Sequence, residues 1–192
     1  PSMRWHRAAA LVSLLPLLVF WRDFQQLFFF SDDWELLNGY STQTLPQWLV
    51  QPFLAEGILP LFKLSWITAV QCLGGGYMAM IVLLWLTHFL IAILFGRTLR
   101  RMGMPDAAVA FAVLLFALSW TNIETLVWSM QWSAQLGLLF FFLAWQLLIN
   151  LLEKPDYQPR ATGLYLLCVL ASGLSSSRSI TAGVVLAALT RR

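Results

Sequence analysis

Long apolar runs separated by short charged stretches organise this chain. Residues 77–96 and 133–152 are each almost uninterrupted apolar segments, and about 20 such residues cross ~30 Å of hydrocarbon as a helix. Residues 5–21 form a shorter apolar run. Residues 105–120 form another, opened by Pro105 where a proline suits a helix start. The stretch 161–190 reads as one long helix or as two short ones broken between Ser172-Gly173 and Ser179. Over 22–76 polar and apolar residues mix. Gly39, Pro46, Pro52, Gly57, Pro60 and Gly74-Gly75-Gly76 punctuate this segment. The pieces between them predict short interfacial helices at 24–30, 33–39, 45–54 and 58–73, the second stopped by Gly39.

The basic residues set the expected topology, because cytoplasmic loops collect Lys and Arg. Arg4, Arg7, Arg97, Arg100, Arg101, Lys154, Arg160, Arg191 and Arg192 all fall on one side if the last stretch is two short helices. Only Arg22, Lys63 and Arg178 then lie outside. A single final helix would put Arg191 and Arg192 on the wrong side. Residues 58–73 could be a further span, but crossing there would turn Arg97, Arg100 and Arg101 outward. This segment is therefore laid along the outer interface, where Lys63 and Gln71 interrupt it and Trp66 suits headgroup depth. Phe20, Trp21 and Arg22 are too bulky for a signal-cleavage site, so the first run reads as an uncleaved anchor. The expectation is an all-α polytopic membrane protein with about six transmembrane helices. Residues 1–192 form one transmembrane domain and 22–76 a long extracytoplasmic loop within it. The expected location is a bacterial-type plasma (inner) membrane, with the N-terminus cytoplasmic. The chain opens on Pro1 and stops at Thr190-Arg191-Arg192 straight after an apolar run, which suggests a piece of something longer.

Composition supports this class. Of 192 residues, 59% are hydrophobic and 11% charged, against ~45–50% and ~25% in an average soluble domain. A mean hydropathy of +0.72 leaves too little polar surface to coat a water-soluble globule, and disorder requires low hydrophobicity. The net charge of +3 is small. The basic residues mark loops and form no nucleic-acid stripe, so no nucleic-acid partner is expected. Cys72 and Cys168 cannot make a disulfide framework. No repeat relates the first three spans to the last three, which weighs against an inverted-repeat transporter.

The acids carry the candidate chemistry. Five of the nine lie in the long loop: Asp23, Asp32, Asp33, Glu35 and Glu56. Asp32-Asp33 follows Phe28-Phe29-Phe30 and precedes Trp34. Paired carboxylates at an apolar surface are costly unless used or satisfied, and mutual repulsion should raise one pKa. That suits a general base, a divalent-metal ligand, or both. The alternative is a helix start, with Asp32 as N-cap and Glu35 at N3. Glu124 closes Thr121-Asn122-Ile123-Glu124, which fits a capping box. It is also the only acid of its loop, set among Trp120, Trp128 and Trp132. Arg178 among Ser175, Ser176, Ser177 and Ser179 could cradle phosphate, or could be a snorkelling loop arginine. Glu56 precedes Gly57 and marks either a turn or a third carboxylate of the outer site. His88 lies near the middle of the second span, where a neutral imidazole bonded to another helix is the plain reading and a proton relay the functional one. Gln146 and Asn150, at i and i+4, read as interhelical glue.

This layout resembles the GT-C superfamily of membrane glycosyltransferases, which use polyprenyl- or dolichyl-phosphate-linked sugars. A first span runs into an outer loop with an acidic pair, Phe29-Phe30-Ser31-Asp32-Asp33-Trp34. Then comes Glu56-Gly57-Ile58-Leu59-Pro60-Leu61, like the family's acidic segment before its second long helix. Thr87-His88-Phe89-Leu90 is similar to the site of a histidine often seen on that helix. Leu115-Phe116-Ala117-Leu118-Ser119, with Glu124 and Trp128, follows the family's next run, although Trp120 stands where a proline is usual. Leu174-Ser175-Ser176-Ser177-Arg178 occupies the place of a basic turn. The resemblance covers nearly all of this chain and the N-terminal part of a typical member.

The resemblance implies an inverting transfer from a polyprenyl-phosphate sugar to an acceptor hydroxyl at the outer face. Asp32, or else Asp33, is the catalytic base. Arg178, with Glu124, Glu56 and His88, is placed toward the donor and its phosphate. A divalent ion such as Mg or Mn would be held by Asp33 and Glu124. The partners implied are the lipid bilayer and the lipid-linked sugar, with the acceptor unspecified. Two other classes stay open: a transporter or flippase, which wants polar groups deep within several spans, and a non-catalytic membrane subunit.

Overall fold

The structure is a computed structural model that describes residues 5–54, 57–119, 125–153 and 159–177. The described residues are helical and contain no strand. In chain order they form α1 (Trp5–Leu11), a 3-10 turn (Val12–Leu14), α2 (Leu15–Val19), α3 (Trp21–Phe24), α4 (Asp32–Thr42), α5 (Leu45–Val50) and α6 (Pro60–Cys72). Then follow α7 (Tyr77–Arg101), α8 (Asp106–Ala117), a 3-10 turn (Ser129–Gln131), α9 (Trp132–Glu153) and α10 (Pro159–Ser175).

Among the described residues, two helical runs are long and apolar enough to cross a membrane: Tyr77–Arg101 and Ser129–Glu153. Of the four other segments read as spans, Ala8–Val19 and Asp106–Ala117 are apolar but shorter. At ~1.5 Å per residue the 12 residues of α8 rise about 18 Å. The first segment is interrupted by its 3-10 turn and by Pro16 at the start of α2. Helix α10 ends at Ser175, within the predicted break. The second half of that stretch, from Arg178 on, lies outside the described residues.

Small side chains set the packing at one end. Ala9 and Ala10 of α1, Ala92 of α7, and Val109 and Val113 of α8 form one buried cluster. Helices α9 and α10 pair through Ala144, Leu148 and Cys168, and the Ser172 hydroxyl donates to the Gly137 carbonyl at 2.7 Å. Gln146 acts as expected between helices, donating to the Thr98 hydroxyl at 2.7 Å. Asn150 is exposed and takes no part in this link.

The main core lies under the loop 22–76. It gathers Leu36, Trp48, Phe62, Trp66, Met80, Trp85, Leu126 and Met130. Helix α6 is therefore a core element, with Trp66 fully buried in the protein. Residues 27–30, expected as helix, form no regular element. Phe29 packs inward against Tyr77 and Trp66, with centroids 5.0 and 5.8 Å apart, whereas Phe28 is largely exposed.

Gly39 does not stop α4, which runs on to Thr42. Its role is close approach. A Cβ there would lie 2.9 Å from Trp48 Cδ1, and Trp48 is held by Tyr40 at 5.3 Å. Gly39→Ala should therefore destabilise the protein by about 1–3 kcal/mol through overpacking, read as a lower Tm in detergent. Gly163→Ala, where added bulk meets nothing within 4 Å, should leave Tm unchanged or raise it slightly, since alanine is the better helix former.

Candidate functional site

Asp32 and Asp33 open α4, so they do not lie in an extended loop. Ser31 takes the N-cap position with φ +50, a conformation uncommon outside glycine. Asp32 is thus the first helical residue, and the pairing with Glu35 expected of a capping box does not form. Neighbouring helical residues point ~100° apart, and this separates the two carboxylates. Asp33 has no exposed surface. Asp32 stays partly exposed and accepts a hydrogen bond from the Ser31 hydroxyl at 3.0 Å.

The Asp33 carboxylate sits in a built cage. Ser129 Oγ donates to Oδ1 at 2.6 Å, and the Phe30 backbone N–H donates to Oδ2 at 3.4 Å. The Met130 backbone N–H also faces it. Ser129 is held in turn from both sides. Trp66 Nε1 donates to its hydroxyl at 3.2 Å, and its own N–H donates to the Tyr77 hydroxyl at 3.2 Å. Tyr77 then donates to the Val127 carbonyl at 2.9 Å. One carboxylate therefore ties α4 to α6, to the start of α7 and to the turn before α9. Phe30 stacks on Trp128 with centroids 5.5 Å apart, covering one side of the cage.

Burial pushes the Asp33 pKa up from 3.8 to about 6. The hydrogen bonds from Ser129, Phe30 and Met130 oppose that rise, and the Asp32 charge adds a smaller push upward. Repulsion within the pair, the cause expected from sequence, is thus secondary to desolvation.

Further along α4, its residues and those of α5 line an open cleft of about 350 Å³. Its polar lining comes from Glu35, Asn38, Thr42, Gln43, Gln51 and Lys63. Lys63 is 1% exposed. Its Nζ donates to the Trp48 carbonyl at 2.6 Å and the Gln51 carbonyl at 2.7 Å, capping the last turn of α5. It also lies 5.4 Å from the centre of the Trp48 ring. Desolvation holds its pKa below the usual lysine value.

Among the other candidates, His88 does not join this cluster. His88 is fully buried on α7, eleven residues and therefore about 16 Å along the helix from Tyr77. It stacks on Phe116 of α8 at 4.9 Å, and the Ala117 backbone of the same helix faces the ring, the kind of interhelical partner expected of a neutral imidazole. Glu56, Glu124 and Arg178 lie outside the described residues. The Ser175 hydroxyl donates to Ala171 within its own helix at 2.8 Å, so that group of the expected phosphate cradle is already spent.

Three protein donors converge on the oxygens of Asp33, and Glu124, expected beside it as a metal ligand, lies outside the described residues. No group of three His, Cys, Asp or Glu among the described residues could hold an ion. Ser129, Trp66, Tyr77 and Lys63 escaped the sequence reading as site residues. Lys63 carried a signal, as a cation inside an apolar run; a lone serine between Trp128 and Met130 carried none.

No family model, curated protein or solved structure matches the chain.

Asp33 binds its proton more tightly in the folded state than in the unfolded chain. Its contribution to stability is thus fully present below about pH 4 and is lost as pH rises through about 6. The shift of roughly two units corresponds to something on the order of 3 kcal/mol. Tm in detergent should therefore carry a downward component between pH 4 and 6 that Asp33→Asn removes. An identical profile in the variant would contradict the buried carboxylate.

Proposed function

We propose that this chain is part of a membrane glycosyltransferase that moves a sugar from a polyprenyl-phosphate donor to an acceptor hydroxyl at the outer membrane face, with inversion. The observation that carries the reading is the division of the carboxylate pair. Asp33 is sealed in a cage of donors, while Asp32 beside it reaches the surface at the head of α4. A base must touch its substrate, so Asp32 takes that role and Asp33 is a positioning residue. The motif order that resembles GT-C enzymes agrees with this assignment.

In the proposed reaction Asp32 accepts the proton of the acceptor hydroxyl. The oxygen forms a bond to the anomeric carbon from the face opposite the phosphate. The carbon–oxygen bond to the phosphate breaks, and polyprenyl phosphate leaves with the electron pair. No step requires an ion at Asp33. A bilayer setting is supported by two helices of spanning length and by apolar side chains left uncovered on the bundle surface. These include Leu86 and Leu90 of α7, Phe111 and Leu115 of α8, and Leu166 and Leu167 of α10.

Asp32→Asn should cut transfer from a radiolabelled polyprenyl-phosphate sugar by at least about 100-fold, the usual scale of a general base, with Tm unchanged. Asp33→Asn should lower transfer as well, through displacement of Asp32. Full transfer by Asp32→Asn would remove the catalytic assignment.

A further inference from the structure

We infer that the cleft between α4 and α5 is a saccharide site, and that it seats the acceptor; the acceptor role rests on the transferase reading above. Asp32, Glu35, Asn38 and Thr42 fall at successive three- to four-residue intervals along α4, on one helical face. The last three line the cleft, and Asp32 heads the same stripe about 5 Å along the axis from Glu35. A ligand held in the cleft thus lies alongside the accessible carboxylate.

The lining chooses the ligand chemistry. The side-chain amides of Asn38 and Gln51 line the cleft at its exposed surface and make no hydrogen bond among the described residues. Each offers a donor and an acceptor side by side, which match adjacent hydroxyls of a sugar ring. Lys63 forms part of the wall with two of its three donors spent on carbonyls. Glu35 stands on the same lining with the opposite charge, which disfavours a free phosphate. At about 350 Å³ the cleft is at the small end of the ~300–1,000 Å³ usual for ligand sites. It has room for a sugar ring and not for an isoprenoid chain.

The test uses the full chain in nanodiscs and saturation-transfer NMR with methyl pyranosides of glucose, galactose, mannose and xylose. At least one pyranoside should receive saturation. Asn38→Ala/Gln51→Ala should reduce it at least fivefold, and Asp32→Asn should retain it. Polyprenyl-phosphate sugar should not displace the bound pyranoside. Absence of signal from every pyranoside, an equal signal in the double variant, or displacement by inorganic phosphate would overturn the saccharide site. Displacement by the lipid-linked sugar would overturn the acceptor assignment. Pyranoside binding without any transfer by the wild type would sink the transferase reading, and the acceptor role with it, while leaving the saccharide site in place.

Discussion

A carboxylate with no solvent contact must be compensated by its surroundings or give up its charge, and this requirement at Asp33 ties segment 22–76 to the turn before α9. The compensating donors come from the irregular segment before α4 and from the turn before α9. The serine of that turn is itself gripped by an indole of α6 and the phenol that starts α7. A buried group of this kind is costly when half satisfied and specifying when fully satisfied. The helices of segment 22–76 are short and joined by irregular chain. The Asp33 cage supplies the missing reference point, and the aromatic residues around it exclude water from the knot.

Sealing one carboxylate decides what its neighbour can do. Asp33 as the second helical residue faces the core, and Asp32 as the first then faces outward. Its exposure is a consequence of helical geometry once Asp33 is fixed. The same rotation carries Glu35, Asn38 and Thr42 onto a polar stripe, and Gly39 lets Trp48 close the cleft from the side. Lys63 holds α5 in place from beneath by taking two of its terminal carbonyls. Carboxylate, stripe and cleft are thus parts of one arrangement, and the proposed chemistry needs all three: a base, a path and a seat for the hydroxyl it activates.

Much of the helical architecture was legible in the sequence, because hydrophobicity summed over twenty residues is hard to mistake. Residues 77–96 and 133–152 lie within the two helices of spanning length. Shorter runs were less secure. The first is broken by its 3-10 turn and Pro16, and α8 stops at Ala117 although apolar residues continue to Leu118. Gly39 looked like a helix stop, but its missing side chain serves an indole nine residues on. Asp32-Asp33 stood out as paired acids, yet their division of labour depends on Ser129, 96 residues away in the chain, and no local pattern encodes such a contact. Lys63 looked like an interruption of an apolar run and is instead a buried cap. His88 sits deep on α7 against the rings of Trp85 and Phe116.

The cage at Asp33 is most directly tested by a double-mutant cycle on Tm-derived stability with Asp33→Asn, Ser129→Ala and the pair. If the two side chains act as one unit, the losses should fall short of additivity by about 0.5–3 kcal/mol, the range for residues sharing a buried network. Losses that add within about 0.3–0.5 kcal/mol would mean the two residues do not support each other, and the account of how Asp32 is presented would fail with them.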